Sequence, residues 1–112
     1  MQITHPLSGA LAPRSVALVG ATEREGSLGR HVLTNILSGG YQGTVWPVNP
    51  KHGQVMGLPC FASLEKLPGV PDLVIVVTPA RTVPGVIDAA GKRGVRAALV
   101  LTAGFAEAGP EG

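Results

Sequence analysis

The sequence predicts a single α/β domain built on a doubly wound parallel sheet. Apolar runs over residues 15–19 and 73–77 end in turn residues and alternate with segments of helical periodicity. The run over 73–77 is apolar on both faces, which is typical of a central strand in a parallel sheet. Because alternating strands and helices favour parallel pairing, we expect these two strands to be neighbours at the centre of the sheet.

The first half of the chain divides into a lead-in and two strand–helix segments. Residues 1–13 contain two prolines and little periodicity, so the predicted domain spans 14–112. A helix should begin after Ser27 as N-cap and end at Gly39-Gly40, before a strand over 44–48. Residues 55–60 should add a short edge strand, and Ser63 should cap a turn of helix. The positions predicted to face inward are Leu28, Val32, Leu33, Ile36, Leu37, Leu64 and Leu67.

The second half repeats the pattern of strand, helix and strand. After the strand over 73–77, Thr82 is expected to cap a helix that ends with Lys92, Arg93 and a C-terminal Gly94. A last strand over 97–101 follows, and no helix comes after it to cover it, so we expect the chain to be the front of a longer polypeptide. The inward positions predicted for the helix are Val83, Val86, Ile87 and Ala90.

The turn after the first strand is rich in glycine and is a candidate phosphate site. Gly20-Ala21-Thr22 and Gly26-Ser27 lie between a buried strand and a helix N-terminus, where backbone N–H groups can approach a diphosphate. The carboxyl ends of parallel strands share one edge of the sheet. The sequence therefore predicts one crevice, flanked by Lys51 and formed by Gly20-Ala21-Thr22, Thr78-Pro79 and Thr102-Ala103-Gly104.

The residues after the second strand indicate which nucleotide is bound. NAD-binding domains present an acidic residue to the ribose diol near this position. Here the chain reads Asn49-Pro50-Lys51. A cation suits a nucleotide with an additional phosphate, so coenzyme A or NADP is a better candidate than NAD.

Composition excludes several other classes of function. Nine Lys and Arg against seven Asp and Glu give a net charge of +2, and four aromatic residues in the whole chain offer no stacking platform for nucleic acid. The longest apolar run is much shorter than the roughly 20 residues of a membrane span. Cys60 is the sole cysteine, which predicts a buried thiol, and no Cys/His spacing indicates a metal site. We therefore expect a cytoplasmic protein that binds neither nucleic acid nor membrane.

Several motifs in register resemble the CoA-binding domain that opens NDP-forming acyl-CoA synthetases, a relative of the succinyl-CoA synthetase alpha subunit. This family has a Rossmann-like fold, and the resemblance covers nearly the whole chain. The motifs are Pro13-Arg14-Ser15-Val16-Ala17 leading to Gly20-Ala21-Thr22, then Gly26 and Gly29, Val48-Asn49-Pro50-Lys51, Val77-Thr78-Pro79-Ala80 and Thr102-Ala103-Gly104-Phe105.

The resemblance implies a role for each segment in binding coenzyme A or an acyl-CoA. The residues from Gly20 to Ser27 would hold the diphosphate, Lys51 would meet the nucleotide end, and Thr78-Pro79 with 102–104 would line the path of the cofactor. Further domains or subunits of a synthetase would be partners. The related alpha subunit carries its phosphohistidine in a separate later domain, and none of His5, His31 and His52 lies in such a motif, so no catalytic residue is predicted here.

Alternatives remain open at this level. The parent protein could be an ADP-forming acyl-CoA synthetase or a protein acetyltransferase fused to the same domain. Two other classes compete with the CoA-binding interpretation. One is a NAD(P)-binding domain of a dehydrogenase or redox sensor, and the other is an assembly domain without ligand. Lys51 could be a solvated loop residue, the glycines could serve packing alone, and 23–25 resemble an exposed loop tip.

Overall fold

The computed structural model describes the fold of residues 13–101. Its first elements are strand β1 (Ser15–Val19), helix α1 (Leu28–Ser38) and strand β2 (Thr44–Val48). Two short strands follow, β3 (Gln54–Val55) and β4 (Leu58–Pro59), and then a 3-10 turn, Leu64–Lys66. The remaining elements are β5 (Leu73–Val76), a 3-10 turn Ala80–Thr82, α2 (Val83–Arg93) and β6 (Ala97–Val100).

The main sheet has four parallel strands in the order β2-β1-β5-β6. This order confirms that β1 and β5 are neighbours at the centre, with Leu18 opposite Ile75 and Val19 opposite Val76. From β1 the chain moves outward to β2, and from β5 it moves outward in the other direction to β6. The direction of winding therefore changes between β1 and β5, and this is the place where doubly wound sheets bind ligands.

The two faces of the sheet are covered by different elements, because side chains alternate along each strand. On one face, Val16 and Leu18 of β1 and Ile75 of β5 pack against Val32 and Leu33 of α1. The other face packs against the 3-10 turn and α2, through Ala17, Val19, Val74, Val76, Leu64, Leu67 and Ala90. The predicted doubly wound fold is thus confirmed, with a helical layer on each side.

Capping explains why α1 begins where the sequence predicts. The hydroxyl of Ser27 accepts a hydrogen bond from the backbone N–H of Arg30 at 3.2 Å, and it donates to the carbonyl of Arg24 at 2.6 Å. The N-cap thus satisfies one of the free N–H groups of the first turn. At the far end of α2, Gly94 adopts a left-handed φ of 90°, as the sequence predicts for a glycine C-cap.

The segment over 55–60 differs from the prediction of one edge strand. Val55 pairs with Leu58 in a separate antiparallel hairpin, because Met56 and Gly57 both have positive φ, 50° and 82°, and form a tight two-residue turn. The main sheet instead gains a single bridge from Val48 to Phe61. Methionine rarely occupies such a turn position, so the sequence carried a weak hairpin signal.

The predicted inward positions of the helices, the cap of α2 and the ends of two strands differ in detail from the structure. Leu37 of α1 and Ile87 of α2 were expected to face inward, but they are 40% and 38% exposed, since each lies at the margin of its helix's buried face. Thr82 does not cap α2 through its side chain, because its backbone is already helical where the 3-10 turn continues into the helix. The central and last strands each end one residue earlier than predicted, at Val76 and Val100.

Candidate functional site

A crevice opens at the carboxyl ends of β1, β2 and β5, where the sequence predicts the ligand site. It encloses about 570 Å³. Five predicted site residues meet there, namely Gly20, Thr22, Lys51, Thr78 and Pro79. The complete lining is Val19, Gly20, Thr22, Arg24, Val48, Asn49, Pro50, Lys51, His52, Val77, Thr78 and Pro79.

Two glycines at the floor of the crevice, Gly20 and Gly29, leave no room for a side chain because neighbouring atoms lie too close. Gly20 has a φ of 103°, and a Cβ atom there would lie 2.8 Å from Cγ2 of Val77. The backbone N–H of Gly20 donates to the carbonyl of Val48 at 2.9 Å, which joins the end of β1 to the end of β2. Gly29, in the first turn of α1, packs directly on the carbonyl of Gly20. The two glycines let helix and strand approach closely beside the site.

Ala21 contributes to the site through its backbone. Its side chain is fully buried in the core on the α1 face, so it does not line the crevice. Its carbonyl accepts a hydrogen bond from the side-chain amide of Asn49 at 2.9 Å. The next residue, Thr22, does line the crevice, and its hydroxyl oxygen accepts from the N–H of Arg24 at 3.2 Å. Arg24, held by this turn, is also a lining residue of the crevice.

The loop over 23–25 is held in place and is not merely an exposed tip. The carboxylate of Glu23 accepts a hydrogen bond from the N–H of Met56 in the hairpin turn. The guanidinium of Arg30 donates to the carbonyl of Glu23 at 2.9 Å. The hairpin and α1 therefore both restrain the loop that carries Arg24.

Gly26 and Ser27 lie apart from the crevice, although the sequence placed them in the same phosphate loop. They line a separate cavity of about 440 Å³ together with Leu28, Arg30, His31 and Thr34. The hydroxyl of Ser27 is engaged by Arg24 and Arg30 as described above. The structure thus gives Ser27 a capping role and separates this end of the loop from the other predicted site residues.

Asn49 lines the crevice, although the sequence predicts no role for it beyond its place in the motif Val48-Asn49-Pro50-Lys51 and the absence of an acid there. Its side-chain NH2 donates to Ala21, and its side-chain oxygen accepts from the N–H of Lys51 at 2.9 Å. Its own backbone N–H donates to the carbonyl of Phe61 at 2.8 Å. The amide thereby ties the loop that bears Lys51 to the turn after β1. A side-chain oxygen of Asn that accepts a hydrogen bond from the backbone N–H two residues later forms an Asx turn, and an Asn in such a loop is the sequence signal for it.

The charge of the crevice is positive. Arg24 and Lys51 are exposed at its rim, with His52 beside them, and no carboxylate stands among the residues that line it. The sequence predicts an exposed loop tip over 23–25, and the structure places Arg24 of that loop in the crevice lining. This set of side chains favours an anionic ligand with more than one negative group.

The wall opposite Lys51 is formed by Thr78 and Pro79. The hydroxyls of Thr78 and Thr82 lie 2.6 Å apart, and the hydroxyl of Thr82 is also 2.7 Å from the carbonyl of Pro79. These contacts fix the turn after β5. The third predicted segment, Thr102, Ala103 and Gly104, lies outside the described residues.

An apolar groove of about 380 Å³ continues from the crevice along the α2 face. Val19, Val48, Pro50, Thr78 and Pro79 belong to both spaces. Leu64, Val86 and Ala89 extend the groove between the 3-10 turn and α2. A polar, cationic region and an apolar region thus adjoin each other at the sheet edge.

Comparison with known families identifies the domain. Residues 14–109 match the family described as "CoA binding domain". The chain belongs to this family. Coenzyme A is the cofactor of the domain, which agrees with the cationic crevice and with the absence of an acid among the crevice-lining residues after β2. The dehydrogenase alternative is not favoured.

The relatives are much longer proteins, and the match covers a small part of each. The CoA-binding domain is 42% identical over 100 residues to acetate–CoA ligase (ADP-forming) I of Archaeoglobus fulgidus, covering 89% of this chain and 14% of the relative. It is 33% identical to the alpha subunit of acetate–CoA ligase (ADP-forming) I of Pyrococcus furiosus, covering 95% of this chain and 24% of the subunit. The chain therefore spans between a seventh and a quarter of these relatives.

A solved structure contains a region with the same fold. The dinucleotide forming acetyl-coenzyme A synthetase 1 of Ca. Korarchaeum cryptofilum, solved with phosphate and ADP, superposes with a TM-score of 0.81 at 39% identity. The match covers 94% of this chain and 23% of that one.

Two further properties concern residues 13–101. None of the helices in this region has the length and apolar character needed to cross a membrane. Within the same region, no cluster of three or more His, Cys, Asp or Glu residues has the arrangement of a metal site.

Proposed function

We propose that this domain binds coenzyme A in the crevice at the ends of β1, β2 and β5, as the CoA-binding part of an ADP-forming acyl-CoA ligase. The observation that carries the proposal is a crevice whose charged lining residues, Arg24 and Lys51, are both cations, directly beside a glycine turn at the switch point of the sheet. Coenzyme A has a diphosphate and a 3′-phosphate, so it presents two separate anionic groups to such a site.

The glycine turn suits the diphosphate. Gly20 carries no side chain to block the approach of the ligand, and the carbonyl of Ala21 is directed into its hydrogen bond with Asn49. The hydroxyl of Thr22 lines the same space. We assign the diphosphate to the region from Gly20 to Thr22, and Arg24 is the nearest cation along the chain to neutralise it.

Lys51 suits the 3′-phosphate. Its backbone is fixed by Asn49, while its ammonium group is exposed at the rim, on the side of the crevice formed by the end of β2. This is the position where a NAD-binding domain offers a carboxylate to an unphosphorylated ribose. A lysine there favours a ribose that carries a phosphate.

Catalysis belongs to other parts of the parent protein in this proposal. The relatives are named as acetate–CoA ligases (ADP-forming), and this chain corresponds to a small share of each of them. We propose that the chain acts with further domains or subunits of such a ligase, in the cytoplasm, and that it supplies CoA binding without chemistry of its own. The domain division proposed from the sequence, with a lead-in over 1–13 and the binding domain from 14 onward, is part of the same proposal.

Calorimetric titration of the chain with CoA, dephospho-CoA, NADH and NADPH tests the proposal. We expect CoA to bind most tightly, dephospho-CoA more weakly and NADH weakest. Binding of NADH as tight as that of CoA would contradict the assignment of Lys51 to a 3′-phosphate. A chain that binds none of the four ligands would contradict the proposed function itself.

A further inference from the structure

We propose that Asn49 is a positioning residue that sets the preference of the crevice for CoA over nucleotides lacking the 3′-phosphate. The inference rests on the proposed function, since it concerns the same crevice. It goes further by assigning the selectivity to a side chain that holds Lys51 in place and that need not touch the ligand's phosphate.

The contacts of Asn49 place it between the two anion-binding regions. Its amide NH2 reaches the carbonyl of Ala21, 28 residues earlier in the chain, at 2.9 Å. Its amide oxygen accepts from the N–H of Lys51 at 2.9 Å. Its backbone N–H is fixed by Phe61 at 2.8 Å. The side chain therefore sets the distance between the glycine turn and the lysine loop.

Lys51 has no comparable restraint of its own. It is exposed, and the residues on either side, Pro50 and His52, are exposed as well. Among the described residues, the side chain of Lys51 makes no ion pair, so its location depends on the backbone of the loop. The Asx turn formed by the Asn49 side chain holds that backbone, together with the hydrogen bond from the backbone N–H of His52 to the carbonyl of Asn49 at 3.3 Å. Without the Asx turn only this backbone bond would hold the loop, so the lysine would be less firmly placed against a ligand phosphate.

The chemistry of the contacts explains why asparagine occupies this position. A side-chain amide can donate and accept at the same time, and both capacities are used here. A carboxylate could keep the turn with Lys51, but it could not donate to Ala21, and its negative oxygen would face a carbonyl oxygen. The acid that serves NAD in other domains is therefore incompatible with this pair of contacts.

Different replacements separate the two contacts. Asn49→Ala removes both. Asn49→Ser keeps a short acceptor for the N–H of Lys51 but cannot span the distance to Ala21. Asn49→Asp keeps the acceptor and adds a negative charge to the crevice lining. Asn35→Ala, in helix α1 and away from the crevice lining, is the matched control.

The decisive measurement is the ratio of the dissociation constants for dephospho-CoA and CoA. If the parent chain prefers CoA by about tenfold or more, as expected for a charge-assisted contact, then Asn49→Ala should lose most of that preference. We expect Asn49→Ser to retain more of it than Asn49→Ala. Asn49→Asp should weaken both ligands and gain no affinity for NADH, while Asn35→Ala should match the parent. Thermal melting followed by circular dichroism verifies that each variant is folded.

The outcomes separate this inference from the proposed function. If the parent prefers CoA and the folded Asn49 variants keep the same ratio of dissociation constants, the positioning role is overturned. The proposed function then remains intact. In Asn49→Ala, a general loss of affinity for both ligands at an unchanged ratio is the mark of a purely structural residue and overturns the inference as well. If Asn49→Ala unfolds, the ratio in Asn49→Ser decides the question, because the inference requires it to fall below the ratio of the parent. A parent that binds CoA and dephospho-CoA equally overturns the inference too.

Discussion

The carbonyl oxygen of Gly20 occupies the space that a Cβ atom on Gly29 would need. This contact joins the end of β1 to the first turn of α1 and lets the helix start close to the sheet edge. The glycine of the helix is therefore a packing requirement of the crevice floor, although it does not itself line the crevice.

Gly29→Ala should destabilise the domain. The added methyl group would collide with backbone and not with a flexible side chain, so helix α1 would have to shift, at a cost of about 1–3 kcal/mol or more. Urea denaturation followed by circular dichroism measures the loss.

Gly91→Ala is the matched control for this change. Gly91 lies inside helix α2 with open space around its Cβ position. Alanine there should stabilise the helix by up to about 1 kcal/mol. Equal effects of the two substitutions would show that the contact between Gly20 and Gly29 has no energetic consequence.

Lys51→Ala should weaken CoA binding and leave dephospho-CoA binding nearly unchanged. A charge-assisted hydrogen bond contributes roughly 1.5–3 kcal/mol, so the dissociation constant for CoA should rise by about tenfold or more. Calorimetry with both ligands gives the comparison. Lys66→Ala, an exposed lysine on the first 3-10 turn and outside the crevice lining, should have no effect. An unchanged affinity for CoA in Lys51→Ala would mean that this lysine is only a solvated loop residue.

Cys60 should react slowly with alkylating agents. Burial raises the pKa of its thiol above the usual range. Sγ also donates a hydrogen bond to the carbonyl of Asn49 at 3.6 Å, a contact that only the protonated thiol can make. Because the thiolate is the reactive form, the rate of iodoacetamide alkylation should reach its midpoint at a higher pH than for the urea-unfolded chain. Coincident pH profiles would contradict a raised pKa in the folded chain.

The same pKa shift predicts a pH dependence of stability. As the pH rises through the ordinary thiol pKa, the unfolded chain loses its proton first, so it binds fewer protons than the folded chain and the free energy of unfolding falls. The contribution is complete below the ordinary pKa and is lost progressively up to the raised one. Urea titrations at several pH values should give free energies of unfolding for the parent and for Cys60→Ser that differ by a constant amount near neutral pH. In the range between the two pKa values, the free energy of the parent should fall relative to that of Cys60→Ser.

The chain by itself should bind CoA without forming acetyl-CoA. The chain corresponds to 14% of one acetate–CoA ligase relative, and no carboxylate or cysteine is present in the crevice lining. Incubation with CoA, acetate, ATP and magnesium, followed by an assay for acetyl-CoA, tests this. Turnover above a control without protein, abolished by His52→Ala or His31→Ala, would assign a catalytic histidine to this domain.

Local sequence patterns determined the elements and much of the site. Uninterrupted apolar residues define β1 and β5 as central strands, because a strand buried on both faces has no place for polar side chains. Ser27 marks the start of α1 because capping depends on residues within one turn of each other. Gly20, Thr22, Lys51, Thr78 and Pro79 could be assigned to one crevice because each directly follows a strand of a parallel sheet.

Tertiary structure alone decided how the loops between these elements are arranged. The hydrogen bond from Asn49 to Ala21 joins residues 28 apart, and the one from Met56 to Glu23 joins residues 33 apart. Such contacts depend on how the chain folds back across the sheet, and no local propensity encodes them. They hold the loop that carries Arg24 and tie the loop that begins at Asn49 to the turn after β1. Gly26 and Ser27 line a different cavity, and the hydroxyl of Ser27 is used in capping α1.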